Sequence, residues 1–414
     1  MAGVLPVTPP EVAPVPATYR RLLRAPGFRP LIASALLART ATQMWAVAII
    51  LFALQRYHSP SIAGLSVFLL IFPGLVLSPV NGALLDRYGR RRLMRVDFAV
   101  AASCLAAIVA LAVTSLLPVW LLLLLLSLGS LTSTLSIAGA RSLFPLTVPR
   151  DLWDRANAAD SLCYGVAQVA GPGLAGWLTA AFGSEVALGV TASGFVLAAV
   201  ALQGVSEPVV ENAMAGRLFH EVARGVRYVI RNVTLRWLAV ALSIGNVGLG
   251  IVIVLLPVLV FRLHGDAAVV GALLALQGLV GIPSALFAGR VKTDGRERQI
   301  MAASSALVGA ATMLLLVPAL AVVAVAVAVI GIAEGPANVS VFSLRQRRTH
   351  PSWFGRAFAI SMSLNFAGMP LGSAFAGPLI TASITLAVVL AAGLAGLSAL
   401  LMLTKIPAAK SSER

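Results

Sequence analysis

The sequence predicts an all-α polytopic membrane protein that crosses the bilayer twelve times. Its 414 residues are 59% hydrophobic and only 11% charged, and the mean hydropathy is +0.94. A soluble domain could not bury so much apolar surface. A membrane-spanning helix needs about 20 apolar residues, so twelve spans and short loops account for the chain. Basic residues stand in short clusters between the apolar runs, as orientation signals do.

The apolar runs place six spans in each half of the chain. In the first half they cover residues 30–54, 62–84, 96–116, 118–139, 156–180 and 185–204. In the second half they cover residues 237–261, 268–290, 299–317, 320–343, 356–380 and 384–404. The predicted domains are a tail (1–28), a six-helix bundle (29–204), a linker (205–236), a second six-helix bundle (237–404) and a tail (405–414).

The 31 Lys and Arg residues are distributed unevenly between the two sides of the membrane. Only Arg56 and Arg262 fall in outer loops, and Arg39 lies within span 1, so both termini and the linker are predicted to be cytoplasmic. The net charge of +16 therefore indicates orientation rather than nucleic-acid binding. In the linker, apolar residues recur at helical spacing among arginines, which predicts an amphipathic helix. This helix either lies on the anionic inner leaflet or is an ordinary solvated linker helix.

Residues 155–178 and 356–379 resemble each other at a constant offset. Arg155 matches Arg356, and glycines match twice more along the segment. The stretch GALLDRYGRRR, residues 82–92, has a degraded copy at residues 289–299. These repeats predict two pseudo-symmetric bundles related as parallel repeats.

The basic loop at residues 82–92 has glycines and an aspartate at fixed spacing, which an ordinary basic loop does not need. It resembles the loop between the second and third helices of the major facilitator superfamily, roughly G-x-L-x-D-R-x-G-R-R/K-R/K. The resemblance implies a gate on the cytoplasmic side, with a partner near the start of span 11. The residues concerned are Gly82, Asp86, Arg87, Gly89, Arg90, Arg91 and, as the partner, Arg356.

The stretch GPGLAG, residues 171–176, resembles the antiporter motif of drug-exporting members of that superfamily. Gly171, Pro172 and Gly176 match the motif, whereas Ala167 and Ala175 replace two of its glycines. Small residues allow close helix packing, and in exporters this region is thought to seal one side of the central path. The segments at 140–158 and 344–359 are similar to those of macrolide-efflux and siderophore-export members. The resemblance therefore favours export.

Three charged residues lie inside spans and away from the span ends, where charge is costly and function is the default interpretation: Arg39, Asp160 and Glu334. We expect Arg39 and Glu334 to approach each other across the cavity, with Glu334 loading and releasing a proton. Asp160 is the rival carrier, and the simpler alternative is a static Arg39–Asp160 pair. Further residues proposed to line the cavity, although interhelical hydrogen bonds explain the neutral ones equally well, are Gln43, Trp45, Asn246, Gln277, Asn338 and Asn365.

We therefore expect an exporter in the cytoplasmic membrane that moves a small amphipathic compound, drug-like or siderophore-like, by alternating access with proton antiport. The alternatives are an uptake carrier of the same fold and a transport-inactive membrane receptor or scaffold. No enzyme signature, catalytic residue, cofactor or metal site is expected, because the sequence has no nucleotide-binding loop and no metal-ligand spacing. The expected partners are the substrate, protons and lipid, and the expected state is a monomer.

Overall fold

The structure, a computed structural model, describes residues 18–205, 207, 218–290, 293–350 and 354–408. The helices of the first half are α1 (Tyr19–Arg24), α2 (Phe28–Tyr57), α3 (Pro60–Tyr88), α4 (Arg90–Val113), α5 (Val119–Thr147), α6 (Trp153–Phe182) and α7 (Ser184–Ala201). Those of the linker and second half are α8 (Leu218–Arg231), α9 (Val233–Arg262), α10 (Ala267–Ala288), α11 (Glu297–Met313), α12 (Leu320–Arg348), α13 (Phe354–Phe366), α14 (Gly368–Ala382) and α15 (Ile384–Lys405).

The predicted all-α membrane architecture is confirmed. Ten of the described helices are long and apolar enough to cross a membrane. The remaining two spans are α6 and the pair α13–α14. Several helices extend beyond the predicted spans, as α2 does at both ends, because polar residues continue the helix past the apolar run.

Span 11 was predicted as one continuous helix, and the structure divides it into α13 and α14 around Ala367. Pro370 has no backbone N–H, so the carbonyl four residues earlier loses its helical partner. Gly368 and Gly372 also pack directly on the backbone of α9, where an added Cβ would clash with the Ser243 and Val247 carbonyls. Close packing thus stabilises a segment whose own helical hydrogen bonding is interrupted.

The helices form two bundles, α2–α7 and α9–α15. In the first bundle α2 packs against α3, α6 and α7, and the second repeats this pattern with α9 against α14 and α15. The end of the molecule where α2 begins and the 82–92 loop lies is called the basic end. The opposite end, where α2 and α9 finish with Arg56 and Arg262 near their last residues, is called the far end.

Two helix pairs join the bundles, α3 with α14 and α6 with α10. In both pairs the helices approach most closely towards the far end, where glycines stand at the points of contact. An added Cβ on Gly377 would clash with the backbone of Ser61, at the start of α3. An added Cβ on Gly176 would lie 2.6 Å from the Cα of Gly271. Backbones can approach this closely only where no side chain intervenes.

The linker helix α8 packs on the basic end of the second bundle. Its Val229 is buried against Leu235, and Tyr228 and Ile360 pack around them. The backbone N–H of His350 donates to the Tyr228 hydroxyl over 3.1 Å. The two alternatives from the sequence were a membrane-surface helix and a solvated one. In the structure, part of the apolar face of α8 covers the protein itself.

Candidate functional site

A polar site lies between the bundles, near the middle of the membrane-spanning helices. It receives side chains from α2 and α6 of the first bundle and from α9, α10, α12 and α13 of the second. A rise of 1.5 Å per residue puts Arg39 about 16 Å, and Glu334 about 21 Å, from the basic end of their helices.

Arg39 is paired with Asp160 in the first bundle. Its Nη1 lies 2.7 Å from Asp160 Oδ1 and donates over 2.9 Å to the Asp160 carbonyl. The two side chains are 14% and 16% exposed, so the pair is largely shielded from solvent. The Arg39 guanidinium also lies over the Tyr164 ring, 4.5 Å from its centroid. This is the static arrangement that was the simpler alternative from the sequence.

Glu334 lies in the second bundle, on α12, and its partner there is a neutral amide. Gln277 of α10 donates from Nε2 to Glu334 Oε1 over 2.9 Å. The helices meet closely here, because an added Cβ on Gly331 would lie 2.8 Å from Val280. The expected approach of Arg39 to Glu334 is not present. Asp160 is on a helix that packs directly against α2, whereas α12 belongs to the other bundle.

Two amide pairs connect the remaining polar residues of the site. Asn246 Nδ2 donates to Asn365 Oδ1 over 2.8 Å and joins α9 to α13. Gln43 Nε2 donates to Gln168 Oε1 over 2.9 Å and joins α2 to α6. Asn338 is exposed on α12, four residues after Glu334 and therefore on the same side of that helix. The amides thus surround the site and link helices within each bundle.

Trp45 was expected to line the cavity, and the structure corrects this. The indole is 4% exposed and packs edge-on against Phe195, with ring centroids 5.8 Å apart. It fills the space opposite Gly129, where an added Cβ would lie 2.6 Å from the indole. A large aromatic ring inside a close-packed bundle contributes to the core rather than to a polar site.

The 82–92 loop has a partner that sequence reasoning missed, Glu207. The backbone N–H groups of Arg90 and Arg91 donate to its two carboxylate oxygens over 2.8 and 2.9 Å. These N–H groups open α4 and have no partner within the helix, so the carboxylate caps the helix and interacts favourably with its dipole. Gly89 has φ +87, which glycine adopts without strain. Glu207 follows α7 and is 117 residues from Arg90 in the chain, so local spacing could not reveal it.

The expected contact between Asp86 and Arg356 lies outside the residues whose side chains the structure describes. Gly82 is on α3, where an added Cβ would meet nothing within 4 Å. Arg87 is exposed and lies over the Tyr88 ring, 5.3 Å from its centroid. The side chain of Arg91 donates to the Gln203 carbonyl over 3.0 Å.

The motif of residues 171–176 lies where α6 meets both its own bundle and the other one. An added Cβ on Gly171 would lie 3.1 Å from the Thr40 carbonyl of α2. The Pro172 carbonyl lies where an added Cβ on Gly271 of α10 would approach to 2.6 Å. Gly176 continues the same contact one turn further. Two faces of α6 are therefore packed backbone to backbone.

Comparison with known proteins identifies the family. The family model described as Major Facilitator Superfamily matches residues 31–373 and 263–414. The chain belongs to the major facilitator superfamily. It is 37% identical over 401 residues to an uncharacterized MFS-type transporter, y4rN, of Sinorhizobium fredii, covering 94% of this chain and 97% of that protein. It is 29% identical over 376 residues to the multidrug efflux pump Tap of Mycobacterium tuberculosis, covering 87% and 88% respectively.

Solved structures share the fold at low sequence identity. The nucleoside transporter NupG matches with a TM-score of 0.75 at 11% identity, over 92% of this chain and 99% of that one. A bacterial homologue of the iron transporter ferroportin, in an inward-facing state, matches with a TM-score of 0.70 at 17% identity, over 93% and 99%. The chain is therefore a multi-pass membrane transporter with the fold of its superfamily.

Proposed function

We propose that this transporter exports a small amphipathic compound across the cytoplasmic membrane by alternating access, coupled to proton entry. The observation that carries the proposal is the seam of small residues between α6 and α10. On α6 it contains Pro172 and Gly176, while Gly171 packs the same helix on α2, and the seam holds the bundles together towards the far end. The similarity to a multidrug efflux pump supports the same direction of transport.

Alternating access requires the two bundles to separate at one end while they close at the other. The glycine contacts described above are concentrated towards the far end, at Ser61–Gly377 and Gly176–Gly271. Contacts between bare backbones are short-ranged and lost together when the bundles rock apart. A seam of this kind suits a closure that forms and breaks as a unit, with the polar site exposed to either side in turn.

Proton coupling is assigned to Glu334. Its partner Gln277 can donate to the carboxylate through nitrogen or accept from the acid through oxygen, so the pair accommodates both protonation states. Asp160 is instead paired with the guanidinium of Arg39. Both bundles and the site belong to one chain, which supports a monomer as the proposed transporting unit.

The basic end is assigned to the cytoplasm, which places both termini and α8 inside the cell. A single cysteine introduced at the exposed Arg224 of α8, in a variant without Cys104 and Cys163, tests this assignment. We expect no reaction with a membrane-impermeant maleimide applied to intact cells, and full reaction after permeabilisation. A cysteine at the exposed Arg262 is the matched control and should react from outside. Labelling at position 224 in intact cells would place α8 outside the cell and contradict the assignment.

The direction of transport is tested in inside-out membrane vesicles. An exporter accumulates substrate in these vesicles when a proton gradient is imposed, an uptake carrier releases preloaded substrate, and a scaffold does neither. Candidate substrates come from a susceptibility screen that compares deletion and overexpression strains. Accumulation that depends on the gradient supports the proposal, and release of preloaded substrate under the same gradient contradicts it.

A further inference from the structure

Among the side chains that the structure describes, two arginines and one carboxylate of the first bundle meet at the site. Arg39 and Arg141 come from different helices, α2 and α5, and converge on Tyr164 of α6. Their guanidinium carbons lie 4.5 and 6.0 Å from the centroid of that ring. Asp160 pairs with Arg39. The arginine–tyrosine cluster, defined as Arg39, Arg141, Asp160 and Tyr164, therefore has a formal charge of +1.

Arg141 lies within helix α5 rather than in a loop. It precedes the end of α5 at Thr147 by about 9 Å of helix. An arginine that only sets orientation is expected in a loop or at a helix end, free to reach the headgroups. Arg141 instead has its guanidinium near the ring of Tyr164, and its side chain is exposed.

The cluster lies next to the seam between the bundles. Gly165, which follows Tyr164, lies on the seam, where an added Cβ would be 3.1 Å from Ile282 of α10. The Tyr164 ring is 38% exposed beside this contact. A compound entering between the bundles would thus meet two guanidinium groups, an aromatic face and the aliphatic side chain of Ile282.

These groups recognise a particular chemical class. A guanidinium fork binds a carboxylate through two parallel hydrogen bonds, and an aromatic ring beside it packs against a flat apolar body. A cation at the same position would meet the net positive charge of the cluster, which acts against its binding. We propose that the arginine–tyrosine cluster is a substrate subsite for amphipathic monocarboxylates, with Arg141 binding the carboxylate and Tyr164 the adjoining apolar part. This inference rests on the proposed transport function and names its substrate class.

The test is equilibrium binding to the full-length protein in lipid nanodiscs. Binding is measured by the shift in the thermal unfolding temperature and by the change in tryptophan fluorescence. Three probes share one ring system: 2-naphthylacetate, its neutral amide and 2-naphthylethylammonium. We expect the carboxylate to bind at least tenfold more tightly than either analogue. Arg141→Gln should weaken its binding about tenfold or more, because a charge-assisted hydrogen bond is lost.

Arg150→Gln is the matched control, because Arg150 also lies over an aromatic ring, that of Trp153 at 5.7 Å, but outside the site. It should leave carboxylate binding unchanged. Arg141→Lys should restore part of the affinity, since the charge remains while the fork is lost. Equal or tighter binding of the ammonium probe, an unchanged affinity in Arg141→Gln, or no binding of the carboxylate would each overturn the inference.

Transport of the same probes in proteoliposomes separates this inference from the function on which it rests. Carboxylate-selective binding that depends on Arg141, without transport driven by a proton gradient, would support the subsite and contradict the proposed export. Transport of the ammonium probe but not of the carboxylate would support export and overturn the subsite.

Discussion

The two bundles share one architecture, but their membrane-embedded carboxylates have different partners. In the first bundle, Asp160 lies against Arg39 at 2.7 Å, and the same arginine packs over Tyr164. In the second bundle, Glu334 accepts a hydrogen bond from the neutral Gln277 at 2.9 Å. An arginine partner stabilises the ionised carboxylate alone, whereas an amide can bond to either protonation state.

The 82–92 loop and its degraded copy at residues 289–299 also differ in the partners of their charged groups. The 82–92 loop is basic, and the carboxylate of Glu207 caps the helix that follows it. Its degraded copy carries acidic side chains, Asp294 and Glu297, and Arg347 of α12 pairs with both of them. The two stretches hold corresponding places in the two bundles, but their charged groups have different partners. Within the spans, the first bundle pairs its carboxylate with a cation, whereas the carboxylate of Glu334 has a neutral partner.

The largest effect is expected for Glu334→Gln, which removes the proposed proton carrier. Transport driven by an imposed pH gradient in proteoliposomes should fall to the background rate, because the neutral amide cannot bind and release a proton. Asp154→Asn is a control with an exposed carboxylate in the first turn of α6, and it should keep gradient-driven transport. Full pH-driven transport in Glu334→Gln would disprove the assignment. If Asp160→Asn lost coupling and Glu334→Gln did not, Asp160 rather than Glu334 would be the proton carrier.

Asp160→Asn should affect stability more than coupling. It leaves Arg39, whose side chain is 14% exposed, without its carboxylate, and breaking a largely buried pair costs about 3 kcal/mol. The free energy of unfolding, measured by denaturant titration in micelles, should fall accordingly. The double variant Arg39→Gln/Asp160→Asn should recover part of this loss, since no uncompensated charge remains. A double variant less stable than the single one would show that the pair is not the source of the effect.

The third prediction compares the 82–92 loop with its degraded copy at residues 289–299. Asp86→Asn should leave the protein in the membrane and slow transport tenfold or more, because a lost charge-assisted contact costs about 1.5–3 kcal/mol and shifts the balance between conformations. Asp294→Asn is the counterpart in the second bundle and should transport at nearly the original rate, since its side chain is 81% exposed. The measurement is the initial transport rate at equal protein levels. An unchanged rate in Asp86→Asn would contradict the proposal that the 82–92 loop is a gate.

The smallest effect is expected at the helix cap. Glu207→Ala removes both acceptors for the first N–H groups of α4 and should lower the free energy of unfolding by about 1 kcal/mol. Glu207→Gln keeps one acceptor oxygen and should cost less. Asp294→Asn in the second bundle serves as the control, because its side chain is 81% exposed and surface pairs contribute little. Equal losses of unfolding free energy in Glu207→Ala and Asp294→Asn would contradict the proposed role of the cap.

The sequence by itself determined the class of protein and its repeated architecture. Apolar runs long enough to cross a bilayer and basic residues confined between them leave few alternatives, because hydrocarbon admits only helices with satisfied backbone groups. The similarity of residues 155–178 to 356–379 predicted two related bundles. The motif at Gly171, Pro172 and Gly176 predicted a site of close helix packing, since small residues at that spacing have one main use in a membrane.

Only the tertiary structure decided which polar groups meet. Depth along a helix follows from residue number, but the direction of a side chain depends on how the helices rotate and pack. Arg39 therefore pairs with Asp160 rather than Glu334, and Trp45 turns into the core of its bundle. Glu207 and Arg141 read as ordinary loop and helix-end charges in the sequence. Their partners are distant in the chain, so folding alone brings Glu207 to the start of α4 and Arg141 to Tyr164.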